Sequence, residues 1–244
     1  MHNESIAQIM ESSKNFHTEK GLYWLDFKRI VQSWPMLVVI TLAVCFGLWM
    51  ADSLVGLICF FAIMLMMQAP SSIVADKSCG WFDFEPSLPI TRKKLVSQKY
   101  TLALILMLAG LLIGLAMAYL LAGIKTGSFQ FEESALQINL LISVVIGCSC
   151  AALILPLGFL VDKDKFFLCV ILSFLPAVLM VYLWTQDISV SEPVLTSGVA
   201  GVQSSFVEVN LNLDTLRLYA GISLAMLIVS WLVMPGFLAR RDNL

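Results

Sequence analysis

Six long apolar runs without a charged side chain constrain this sequence more than any other feature. A helix needs roughly 20 apolar residues, and about 17 at the least, to cross a bilayer. The chain is 59% hydrophobic and only 13% charged over 244 residues, so a water-soluble fold could not bury its apolar surface. The sequence therefore predicts an all-α membrane protein with six transmembrane helices. These spans are Pro35–Ala51, Leu54–Pro70, Thr101–Gly123, Ile138–Leu160, Phe166–Trp184 and about Leu218–Leu238.

Basic residues divide unequally between the two predicted membrane faces. One face receives both termini and the segments after spans two and four, and it holds all but two of the 15 Lys and Arg residues. The exceptions are Lys125 and Arg217. Because basic residues concentrate in cytoplasmic segments, both termini are predicted to be cytoplasmic. We expect a multi-pass protein of a bacterial cell (plasma) membrane. The net charge of −2 argues against a nucleic-acid partner.

The chain divides into a polar tail (1–20), an amphipathic segment (21–34) and a six-span domain (35–240). Wound as a helix, residues 21–34 collect their aromatic and branched side chains on one side and Asp26, Lys28 and Arg29 on the other. This pattern suits an interfacial helix in the headgroup layer, and the alternative is a helix packed on a partner protein. The domain carries a cytoplasmic loop at 71–99 and an outer loop at 185–217, whose role the sequence leaves open between a lid and a gate.

The loop at 71–99 contains an aromatic-acidic segment, Trp81–Glu85. Its apolar side chains are Trp81, Phe82 and Phe84, and its acidic side chains are Asp83 and Glu85. Large aromatic groups in this arrangement are typical anchors for a groove on a partner protein. The alternative is a basic juxtamembrane loop that binds anionic lipid.

Span three carries small residues at four-residue spacing: Gly110, Gly114 and Ala118. Such a stripe lets a second helix approach closely. The sequence leaves two partners open, a helix of a second subunit or a helix of the same chain.

The stretch SLPITRKKLVSQKY resembles the loop motif of ABC type-two export permeases. In that family the motif reads Leu-Pro, Ile or Val, Ser or Thr, Arg, a hydrophobic pair, then Lys-Tyr or Lys-Phe. The resemblance implies an N-terminal elbow helix at Leu22–Trp34 and a coupling helix that seats in a groove of a cytoplasmic ATPase. It assigns that seat to Trp81, Phe82, Asp83, Phe84 and Glu85, which we call the coupling segment. It assigns the motif to Leu88, Pro89, Thr91, Arg92 and Lys99.

No nucleotide-binding signature G-x-x-x-x-G-K-[ST] occurs in the chain, so we expect a transport subunit that is not itself an enzyme. The resemblance implies no cofactor on this chain, with ATP and Mg on the partner. It implies two copies of the ATPase and a second permease chain, in a homodimer or a heterodimer. The expected function is export of an amphipathic cargo such as a peptide, lipid or drug. Alternatives are an ATP-independent carrier and a non-transporting immunity or scaffold protein.

Overall fold

The computed structural model describes most of the chain, namely residues 24, 26–28, 31, 34–50, 54–80, 92–126, 133–161, 163–186, 189–190, 209–210 and 213–241. Seven α-helices have bounds within these residues. They are α1 (Trp34–Met50), α2 (Gly56–Met66), α3 (Gln68–Ser78), α4 (Arg92–Thr126), α5 (Glu133–Leu160), α6 (Phe166–Gln186) and α7 (Leu213–Arg241). A 3₁₀ turn, Lys163–Lys165, joins α5 to α6.

Five helical stretches of the described chain are long and apolar enough to cross a membrane. The first combines α2 and α3, and the others lie in α4, α5, α6 and α7. For these five, the predicted apolar runs are confirmed as helices. The run at 35–51 forms α1, which has 17 residues and so stands at the lower limit of a span. The count of six spans and the position of the termini stay predictions.

Helix α5 lies at the centre of the bundle and packs against α2, α6 and α7, while α4 packs along α2. The largest apolar cluster joins α2 through α7 around Met66, Ile73 and Leu155. Most exposed large apolar side chains lie on α1, α4, α6 and α7, where a bilayer or a second chain would cover them.

A proline explains the break between α2 and α3. Pro70 has no backbone N–H, so the carbonyl of Met66 four residues earlier loses its helical partner. Helix α2 ends at Met66, Met67 forms a turn, and α3 begins at Gln68. The helical hydrogen bonding resumes with Ser71 N donating to Met67 O at 3.3 Å.

The two predicted loops are shorter in the structure because the helices extend beyond the apolar runs. Helix α3 continues to Ser78 and α4 begins at Arg92, so much of the predicted loop 71–99 is helical. Helix α6 reaches Gln186 and α7 begins at Leu213, which shortens the outer loop 185–217. Apolar composition marks where a bilayer ends, whereas backbone hydrogen bonds carry a helix on into the polar region.

A short antiparallel ladder joins the ends of the outer loop. Its strands are β1 (Ser189–Val190) and β2 (Val209–Asn210), with Ser189 opposite Asn210. The alternating pattern around 207–213 predicts an extended segment, and β2 lies within it.

The small-residue stripe of α4 lies against the backbone of α2 in the same chain. A Cβ atom added to Gly110 would stand 2.4 Å from the Phe61 carbonyl oxygen, and one added to Gly114 would stand 2.7 Å from Ile58 Cα. Ala118 is fully buried in the same contact. The stripe thus allows two helices of one subunit to meet at backbone distance.

Candidate coupling site

The predicted site residues fall into two groups. Those at 81–91, which include the whole coupling segment together with Leu88, Pro89 and Thr91, lie outside the described residues. Arg92 is the first residue of α4, and Lys99 lies two turns further along that helix. The structure therefore shows the roots from which the coupling segment emerges, the end of α3 and the beginning of α4.

Lys99 is the centre of a buried ionic cluster. Its ammonium group lies 2.7 Å from Asp26 Oδ1 and 2.9 Å from Asp76 Oδ2. The ammonium also donates to Ser72 Oγ at 2.9 Å, and Gln98 Nε2 donates to Asp26 Oδ2 at 3.2 Å. None of the three charged side chains is more than 6% exposed.

This cluster connects three separate parts of the chain. Asp26 comes from the predicted interfacial helix, Ser72 and Asp76 come from α3, and Gln98 and Lys99 come from α4. Burying charges is costly, and a buried ion pair persists only when its partners supply hydrogen bonds. Here the ammonium has three oxygen acceptors and can use all three of its protons. The cluster therefore fixes the relative positions of the three elements.

The other root of the coupling segment is attached to α5. Lys77, near the end of α3, donates to Phe159 O at 3.0 Å and to Val161 O at 2.6 Å. These carbonyls belong to the last turn of α5 and the residue that follows it, where intrahelical donors are missing. A cation at a helix C-terminus is also favoured by the helix dipole.

A second polar contact begins at the residue after Lys99. Tyr100 is fully buried, and its hydroxyl lies 2.7 Å from Ser230 Oγ, which in turn donates to Ala152 O at 2.7 Å. Because the single proton of Ser230 goes to that carbonyl, Tyr100 is the donor to Ser230. Pro156 lacks the N–H that Ala152 O would otherwise accept. Ser230 thus satisfies the carbonyl that this proline leaves without a helical partner.

A sequence profile of the family described as ABC-2 family transporter protein matches residues 21–234. The chain belongs to this family. The match begins where the predicted interfacial helix begins and runs into α7, and it confirms the resemblance carried by SLPITRKKLVSQKY. No curated protein and no solved structure gives a significant match.

In this ABC-2 transporter protein, the sequence motif includes Lys99 but does not reveal the partners that bury it. The sequence pattern puts Asp26 on the polar face of the interfacial helix, and the structure buries it against Lys99. One signal in the sequence could have indicated this burial. When Trp24 and Phe27 face lipid, the opposite side of the helix faces the protein, and the acidic Asp26 lies on that side. Trp24, Phe27 and Val31 are indeed exposed.

The opposite end of the ABC-2 protein has a simpler contact. Lys125, near the end of α4, donates to Trp49 O at 2.8 Å and lies 5.6 Å from the centre of the Trp49 ring. Lys99 and Lys125 enclose a stretch without charge that measures about 37 Å at 1.5 Å per residue. This length exceeds the roughly 30 Å of a hydrocarbon core. The ionic cluster and Lys125 therefore lie close to the two membrane surfaces.

Replacing Ser230 with alanine is expected to destabilise the ABC-2 protein by about 1–3 kcal/mol, because the buried Ala152 carbonyl would lose its donor. Thermal unfolding in detergent measures the change. Ser71→Ala is the control, since Ser71 is exposed and its hydroxyl donates to the carbonyl of Met67, four residues earlier in the chain. Equal melting temperatures for the two variants would show that Ser230 does not satisfy the carbonyl freed by Pro156.

Proposed function

We propose that this chain is the membrane-spanning permease subunit of an ATP-driven ABC exporter. The observation that carries the proposal is the ABC-2 family match over residues 21–234, which includes every described helix of the bundle up to the last turns of α7. In this proposal the coupling segment, Trp81–Glu85, seats in a groove of a cytoplasmic ATPase. ATP and Mg belong to that partner, and this chain contributes no cofactor site.

The geometry of the roots supports a mechanical role for the coupling segment. Helix α3 precedes the segment, and its Lys77 is hydrogen-bonded to the end of α5. Helix α4 follows the segment, and its Lys99 is paired with Asp26 and Asp76. Two rigid helices anchored by buried or charge-assisted contacts transmit displacement better than a mobile connection would. A push on the segment is then delivered to α4 and α5, two long helices of the bundle.

The orientation follows from the same proposal. The end that holds Lys99 is the cytoplasmic end, in line with the concentration of basic residues there. Both termini lie on the cytoplasmic side as well. Helix α1 is the first of six spans in this permease. Two permease chains, identical or related, and two ATPase subunits form the transporter.

The cargo in this proposal is amphipathic, a peptide, a lipid or a drug. Away from the Lys99 end, the buried polar side chains that the structure describes in the spans are serines: Ser143, Ser149, Ser173 and Ser223. Carriers driven by ions or protons place ionisable groups at mid-membrane, and hydroxyl groups do not replace them. A pathway lined mainly by apolar side chains and hydroxyl groups suits a cargo that has apolar surface of its own.

The double variant Trp81→Ala with Phe82→Ala is expected to lose most of its ATPase binding, because truncating two aromatic anchors typically costs 2 kcal/mol or more per residue, about thirtyfold in affinity each. The measurement is co-purification of the ATPase with the tagged permease from membranes.

The matched control is Trp24→Ala with Phe27→Ala. It removes the same two residue types at the same end of the protein, from side chains that are exposed on the lipid-facing side. We expect this control to retain the ATPase. If the Trp81 and Phe82 variant retained as much ATPase as the unaltered protein, the coupling segment would not be the ATPase-binding site.

A further inference from the structure

The ionic cluster ties the predicted interfacial helix to the roots of the coupling segment. Asp76 lies in the last turn of α3, and Lys99 lies two turns inside α4. The coupling segment is located between these two positions in sequence. Among the described residues of the interfacial helix, Asp26 takes part in the cluster.

Both carboxylate oxygens of Asp26 are bound to α4. Oδ1 accepts from the Lys99 ammonium at 2.7 Å, and Oδ2 accepts from Gln98 Nε2 at 3.2 Å. Hydrogen bonds that involve an ionised group are roughly twice as strong as neutral ones. Moving Asp26 away from α4 would break a buried ion pair and leave the Lys99 ammonium with one carboxylate, Asp76, in place of two, which is unfavourable. The interfacial helix therefore follows α4 when α4 moves.

The described side chains on the opposite side of the interfacial helix are exposed. Trp24 is 67% exposed and Phe27 is 56% exposed, and their rings stack with centroids 6.0 Å apart. Aromatic side chains of this kind prefer the headgroup region of a bilayer. The described part of the helix thus combines aromatic side chains suited to a fluid lipid layer with a residue, Asp26, that is fixed to the protein.

We propose that Asp26 is a positioning residue which makes the interfacial helix, the end of α3 and the beginning of α4 a single rigid unit. When the ATPase displaces the coupling segment, the interfacial helix moves with it along the membrane surface. The inference rests on the proposed function, because it needs an ATPase that acts on the coupling segment. It adds that the displacement reaches the lipid-facing helix through one buried salt bridge.

The test uses a spin label on the exposed face of the interfacial helix, at Val31→Cys, in a Cys79→Ser background, because Cys79 is the exposed cysteine of the described chain. The full permease–ATPase complex is placed in lipid nanodiscs. Accessibility of the label to a lipid-soluble and a water-soluble relaxation agent is measured without nucleotide and after incubation with ATP and vanadate, which traps ADP and vanadate in the ATPase. With Asp26 intact we expect a nucleotide-dependent shift, and in Asp26→Asn we expect that shift to be lost while the ATPase stays bound.

Asp76→Asn is the matched control, because it makes the same change of charge in the same cluster. It leaves the Asp26–Lys99 pair in place, so the shift is expected to persist. A full shift in Asp26→Asn, or equal loss in both variants, would overturn the inference. Absence of any shift in the unaltered complex, with the ATPase bound, would overturn it as well and leave the proposed function standing. Failure of the unaltered chain to bind an ATPase would overturn both, and co-purification detects this separately.

A second measurement needs no change in the cluster and decides the matter if Asp26→Asn does not assemble. Labels at Val31→Cys and Ser71→Cys report the distance between the interfacial helix and α3, and labels at Val31→Cys and Thr185→Cys report the distance to the other end of the bundle. All three positions are exposed. With labelled chain diluted in unlabelled chain, vanadate trapping is expected to change the second distance and not the first. A change of similar size in both distances would show that no rigid unit exists.

Discussion

Replacing Lys99 with glutamine is expected to destabilise the protein by roughly 3–5 kcal/mol, the cost of removing one partner from a buried ion pair. The reason is the composition of the cluster. Lys99 is the positive charge between two carboxylates, Asp26 and Asp76, that are almost fully buried. Without the ammonium, two negative charges face each other in a site of low polarity. Thermal unfolding in detergent and the yield of monodisperse protein measure the effect.

Lys93→Gln is the control for this prediction. It is the same substitution in the same helix, six residues earlier, at an exposed side chain. Exposed charges of this kind contribute little to stability, so its melting temperature should equal that of the unaltered protein. The structure shows Lys99 buried between the two carboxylates. Equal melting temperatures for the two variants would contradict this.

The double variant Gly110→Ala with Gly114→Ala is the second change with a large expected effect. At both positions the added methyl group would overlap backbone atoms of α2, with Phe61 O at 2.4 Å and Leu57 O at 2.8 Å. Backbone atoms cannot rotate away, so the two helices must separate. Overpacking a well-filled contact costs about 1–3 kcal/mol per site, and we expect the upper end here. The melting temperature in detergent is again the measurement.

Two other helical glycines provide controls in the same chain. Among the residues that the structure describes, none has an atom within 4 Å of a Cβ atom added to Gly47 or Gly221. Alanine is the better helix former by about 1 kcal/mol, so Gly47→Ala and Gly221→Ala should keep or raise stability. If these variants lost as much stability as the Gly110 and Gly114 double variant, the effect would come from replacing any helical glycine and not from the contact with α2.

The helices could be predicted from the sequence because the bilayer sets their length and composition. The run at 166–184 became α6 at Phe166–Gln186, within two residues at its end. The helical extension at 71–78 could not be predicted in the same way, since polar residues there give no periodic signal strong enough to separate helix from loop. Hydropathy locates the membrane boundary, and it is silent on how far a helix continues past it.

The site could be predicted only in part for a related reason. Lys99 stands in a motif, whereas Asp26 becomes a partner only when a segment 73 residues away packs beside it. The bond from Ser230 to Ala152 joins residues 78 apart and depends on Pro156 having no N–H. Contacts of this kind are tertiary, and no local pattern identifies both partners. The stripe at Gly110 and Gly114 predicts a close helix contact, and the structure supplies its partner, α2.

Site-specific photo-cross-linking from the coupling segment tests the central claim most directly. A photoreactive amino acid replaces Phe82 in the full chain, the complex with the ATPase is irradiated in membranes, and adducts are identified by mass. A second chain carries the same group in place of Tyr182, an exposed residue near the other end of the bundle. The account predicts an adduct between position 82 and the ATPase and none from position 182. An ATPase that co-purifies with the permease but forms no adduct from position 82 would contradict it.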